Sequence, residues 1–185
     1  MHHEVFGDLQ YEPGDGIWAG SVRLRRFAAF GDTGSENEGE RRRRADGVLP
    51  LAIRAAGTGP TAPQQAAYRF VRDREADVFQ AALGALFESY RAYTDAPGPL
   101  RPLRNWLGGL LGVKPIESPQ GLNAEAAFTG VEVAREHVNG VAYVLFGVYC
   151  QWEPEHGMLI VYHRDRPTSW TTADALELVS DENDG

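Results

Sequence analysis

The sequence predicts an α+β fold, in which an antiparallel sheet formed from N- and C-terminal strands carries a long central helix packed on one face. Three observations lead there. Extended runs lie toward both ends of the chain, Ile17 to Phe30 and Val48 to Ala56 on one side and Phe128 to Tyr162 on the other. Between them, Thr61 followed by Gln64 is the capping box that opens a helix. Within the C-terminal run, Asn139-Gly140 is the strongest two-residue hairpin signal, because both residues tolerate positive φ.

Taken in order, Ile17 to Phe30 alternates apolar residues with arginines and pairs in expectation with Val48 to Ala56 as an antiparallel hairpin. The intervening SENEGERRRRADG sets Glu36, Glu38 and Glu40 against Arg41, Arg42, Arg43 and Arg44. A run so close to self-neutral is expected to stay solvated, so 34–47 is read as a flexible charged loop. Pro63 sits in the first turn of the central helix, where its missing N–H costs nothing. Further along, Phe79, Leu83, Leu86, Tyr90 and Tyr93 recur at helical spacing and form one core-facing stripe. An unbroken helix from Ala62 to Thr94 would run roughly 50 Å, too long for a compact domain. The polar Arg72 to Asp77 is therefore the expected break, and Pro97 and Pro99 stop the helix.

Leu103 to Leu111, around Trp106, reads as a short glycine-limited helix, and Pro115 to Asn123 as a connector. Phe128 to Val138 is a strand, and Val141 to Cys150, apolar at both alternating positions, is a central one. Met158 to Tyr162 follows, Arg164 to Pro167 turns the chain, and Thr168 to Thr172 returns as a short edge strand. Asp174 to Val179 is read as a final helical turn and 180–185 as a disordered acidic tail. No repeat or linker divides 1–185, so a single domain is expected.

With 185 residues, 43% of them apolar, the chain can bury one substantial core. Its longest apolar run falls short of the roughly 20 residues a bilayer requires. The start MHHEVFGDL lacks the cationic and apolar regions of a signal peptide, and Cys150 has no partner for a disulfide. A cytoplasmic protein is expected. The net charge of −8 opposes nucleic acid and anionic membranes, so neither is expected as a partner.

The densest chemistry is Gln151-Trp152-Glu153-Pro154-Glu155-His156-Gly157, placed between two strands. A metal centre needs three or four ligands around one point. His156 and His163 stand at opposite ends of a straight strand, roughly 23 Å apart, and cannot share an ion. HExxH and CxxC spacings are absent, so no metal and no cofactor is expected. Pairing Cys150 with His156 would give a nucleophile, but a thiol ending an apolar strand beside Glu153 and Glu155 lacks the positive surroundings that activate it. Asp32-Thr33-Gly34-Ser35 matches the aspartic-protease tetrapeptide, yet that chemistry needs two aspartates sharing a proton. A structural account covers the loop residue by residue: Trp152 caps the end of the core, Glu155 and His156 bond loop groups, Pro154 fixes one φ, and Gly157 takes a positive one.

Phe6-Gly7-Asp8-Leu9, Trp18-Ala19-Gly20, Gln64 and Gln65, Tyr90 and Tyr93, and above all Trp152-x-x-Glu155-His156-Gly157 resemble a group of uncharacterised bacterial domains of unknown function. Some members of that group look like immunity proteins encoded beside toxins. The arginine-rich insertion and the glycine-rich segment around Trp106 depart from the group's pattern, and the group supplies no catalytic residues to transfer. Two functions follow as expectations. The first is a non-enzymatic protein-binding module, an immunity protein neutralising a cognate toxin, with Trp152, Glu153, Glu155, His156 and Gly157 as its motif. The second is a small metal-dependent or acid/base hydrolase in which Glu155 and His156 are catalytic, assisted by Glu153 or Asp174.

Overall fold

A computed structural model describes residues 1–31, 38–95, 116–172 and 178. Two short strands, β1 (His2–His3) and β2 (Gly7–Asp8), pair with each other. The main sheet is built from β3 (Gln10–Glu12), β4 (Ile17–Arg23), β5 (Val48–Arg54), β6 (Ala126–Val138), β7 (Val141–Cys150), β8 (Met158–His163) and β9 (Arg166–Thr171). These seven strands lie side by side in chain order. Helices α1 (Arg25–Ala28) and α2 (Glu38–Ala45) separate β4 from β5, and α3 (Ala62–Asp73) and α4 (Glu75–Asp95) separate β5 from β6.

The predicted architecture is present: a mostly antiparallel sheet drawn from both ends of the chain, with the central helices packed on one face. The two halves join through β5 and β6, which are parallel, with Leu51 opposite Val131 and Ile53 opposite Val133. A helical crossover brings the chain back to the end it left, and a parallel neighbour is the result.

The expected break in the long helix falls at Arg74, whose φ of −120° and ψ of 31° leave the helical region. Thr61 and Gln64 form the predicted cap: Gln64 Oε1 accepts from the Thr61 N–H at 2.9 Å. Of the predicted stripe, Phe79, Leu83 and Leu86 are buried and Tyr90 is half-buried, but Tyr93, in the last turn of α4, is exposed. Asn139 and Gly140 both take positive φ, 52° and 71°, as the tight hairpin requires. The turn from β8 to β9 is tighter than expected: Arg164, at φ 57°, and Asp165 suffice, and Arg166 and Pro167 already belong to β9. Proline is tolerated on an edge strand, where one N–H is not needed by the ladder.

Two further expectations fail. Ile17 to Phe30 is not one strand. It ends at Arg23, and α1 then turns Phe27 into a buried aromatic cluster, stacked at 4.6 Å on Phe146 and edge-on to Phe128 at 4.8 Å and Phe79 at 5.2 Å. Burial of two phenylalanines outweighs continued pairing. Nor is the described part of 34–47 a loop. Glu38–Ala45 is helical, with acids in its first turn, arginines in its last, and an i,i+4 pair from Arg42 to Glu38 at 3.0 Å. This order suits the helix dipole. Since α2 buries no side chain, it is fastened differently: the Arg44 guanidinium donates to the carbonyls of Phe30 and Gly31, each at 3.0 Å, and to that of Phe128. Asp32 to Ser35, Leu103 to Leu111, the turn at Asp174 to Val179 save Leu178, and the 180–185 tail lie outside the described residues.

Candidate functional site

The Gln151–Gly157 segment connects β7 to β8, as the strand pattern requires. Its root is fixed to the start of β6: the Gln151 N–H donates to Glu125 O at 2.9 Å, and Cys150 stands opposite Ala126 in the ladder. Trp152 turns inward, packs against the core, and meets Tyr90 of α4 edge-on at 5.3 Å. The expected cap over the end of the core is therefore present.

Internal bonds close the loop. The Glu153 N–H donates to Cys150 O at 3.2 Å, and the Gly157 N–H to Glu153 O at 3.1 Å. Gly157 has φ 63°, and a Cβ there would stand 3.0 Å from Val148 O, so this position calls for glycine on both counts. His156 Nδ1 lies 3.1 Å from Glu153 Oε1, and Glu155 is exposed at the tip. The structure thus brings together Glu153 and His156, rather than the Glu155 and His156 that the hydrolase reading pairs. His163 is held elsewhere: its Nε2 lies 3.0 Å from Val141 O, and its ring faces Tyr143 at 4.7 Å. Asp174 lies outside the described residues. Among the described residues no three His, Cys, Asp or Glu side chains are grouped to hold a metal ion. No described helix is long and apolar enough to cross a membrane.

Cys150 is fully buried, and burial pushes its thiol up from 9.0 to about 11 against the opposing Glu153 N–H. The folded state therefore favours the neutral thiol. The stability this contributes is complete below pH 9 and is lost as pH rises toward about 11. Folded protein at pH 8 should leave iodoacetamide unreacted while urea-unfolded protein is alkylated, and Cys150→Ala should flatten the decline in stability between pH 9 and 11. Rapid alkylation of the folded protein would show an open nucleophile instead.

The sequence reading passed over Arg44. Nothing in the run Arg41 to Arg44 marks its last member as the one that reaches three carbonyls, because the selection is made by tertiary geometry.

A family model described as Domain of unknown function (DUF6985) matches residues 48–176. The match opens at the first residue of β5 and includes the Trp152–Gly157 loop; β1 to β4, α1 and α2 precede it. No curated protein and no solved structure matches the chain.

Proposed function

The chain belongs to this family of domains of unknown function, and from that premise we propose that it is a non-enzymatic, cytoplasmic protein-binding module whose recognition loop is Trp152–Gly157. The observation that carries this reading is the construction of the loop. It is tied at its root to Glu125, anchored through Trp152 on Tyr90, closed by the Gly157 to Glu153 bond, and presents Glu155 outward. A loop held in one shape loses little entropy on binding, so its contacts count fully toward affinity. The net charge of −8 steers a cationic partner toward it. A basic bacterial toxin encoded beside this chain, neutralised as by an immunity protein, is the partner of choice.

The test is co-expression with the product of the neighbouring gene, followed by pull-down and a growth assay. Glu155→Arg should weaken capture roughly tenfold and abolish protection while leaving thermal stability unchanged. Failure of every neighbouring product to bind would remove the reading. The hydrolase alternative draws on one contact, the carboxylate of Glu153 orienting the His156 imidazole as a general base requires. Turnover of a model ester or phosphoester that disappears in His156→Ala, with partner capture intact, would favour it.

A further inference from the structure

The helices α1, α3 and α4 bury their apolar side chains in one core, on one side of the sheet. The other side carries the Arg54–Glu132 ion pair, but it has an apolar part as well. Strand alternation points Tyr143, Leu145 and Tyr149 of β7, and Leu159 and Val161 of β8, away from that core. Ala134, Leu145 and Val161 form a second, separate apolar cluster there, with Leu145 only 1% and Val161 2% exposed. The half-buried Tyr143 and Leu178 pack against it.

Leu178 belongs to no strand and follows β9 in the chain, at the edge of the sheet, yet it packs against a cluster drawn from β6, β7 and β8. Strands are spaced about 4.8 Å apart, so β6 is about 14 Å from β9. Six residue steps separate Thr172 from Leu178, a contour of at most about 20 Å, so the chain is long enough to cover that distance. The sequence around Leu178 reads Leu176-Glu177-Leu178-Val179-Ser180-Asp181-Glu182, a short aliphatic stretch that runs into acidic residues.

We propose that the outer face of β6, β7 and β8 is a docking face whose resident occupant is the chain's own C-terminal segment, seated through Leu178. A partner segment with an aliphatic side chain reaches this face only by displacing the resident. This surface is distinct from the Trp152–Gly157 loop, and the inference stands whether or not that loop binds a toxin.

The test uses full-length protein and a fluorescein-labelled peptide of residues 172–185. Leu178→Asp and, without added charge, Leu178→Ala should both bind the peptide in anisotropy titrations. Wild type should bind at least about tenfold more weakly, because a short tether holds the resident at millimolar effective concentration. A peptide carrying the same Leu178→Asp change should not bind. The proposal is overturned if wild type and variants bind the peptide equally, or if neither variant, with wild-type circular dichroism, binds it up to about 1 mM. Should Leu178→Asp fail to fold, the alanine variant decides by the same two criteria.

Discussion

Gln64→Leu destabilises the protein by about 3 kcal/mol or more, although leucine nearly matches glutamine in volume. Gln64 is fully buried and uses both ends of its amide. Its Oε1 accepts from the Thr61 N–H at 2.9 Å, and its Nε2 donates to Arg54 O at 2.7 Å and Ala134 O at 3.0 Å. Arg54 ends β5, and Ala134 lies in β6 where the register with β7 shifts between Val133 and His137. One side chain thus starts α3 and serves two carbonyls just beyond Ile53 and Val133, the last pair of the parallel ladder. Leucine takes the partner from the buried bond to Ala134 O and from the part-buried bonds to Arg54 O and the Thr61 N–H, and the buried one costs most in desolvation. Gln64→Glu should be as damaging, since a carboxylate has no N–H to give. Urea unfolding of the three proteins measures the effect; a Gln64→Leu midpoint equal to wild type would contradict the bridge.

The same residue marks the limit of what the sequence makes legible. Thr61 and Gln64 announce a helix start because capping is local and its spacing is fixed. Asn139-Gly140, the two-faced apolar run of β7 and the break near Arg74 are legible for the same reason: backbone geometry and period act within a few residues. That the Gln64 amide also serves Arg54 and Ala134 depends on strands distant in sequence, and no local pattern encodes it. Phe27 and Phe30 mislead likewise. They fit an extended run, yet the aromatic cluster with Phe79, Phe128 and Phe146 draws Phe27 into a helical turn and Phe30 into the bend that follows it. At the candidate site the loop, its glycine and its capping tryptophan are readable; that His156 turns to Glu153 instead of Glu155 is a matter of side-chain geometry.

Gly31→Ala is expected to cost at least about 4 kcal/mol, in the range reserved for backbone strain and buried clashes. Gly31 has φ +75°, and a Cβ placed there would stand 1.8 Å from Ala126 O, 2.8 Å from Ala126 C and 3.1 Å from Ala127 Cα. The obstructing atoms are backbone of β6, so no rotamer change relieves them. Nor can the glycine side yield easily, because Arg44 grips the Phe30 and Gly31 carbonyls while also bonding Phe128 O. Alanine must therefore push the start of β6 away. Ala126 is paired with Cys150, and Glu125 O holds the Gln151 N–H, so that displacement is transmitted to the root of the Trp152–Gly157 loop. Arg44→Met removes the grip alone and should cost about 2 kcal/mol, the worth of hydrogen bonds from a charged donor. Because both changes act on Phe30–Gly31, the double variant should lose less than the sum. Chemical denaturation of the cycle, with Trp152 fluorescence as the local reporter in a background where Trp18, Trp106 and Trp170 are replaced by phenylalanine, checks both parts. Additive losses, or an unaltered tryptophan environment in a folded Gly31→Ala protein, would mean that this end of the sheet does not move as one unit.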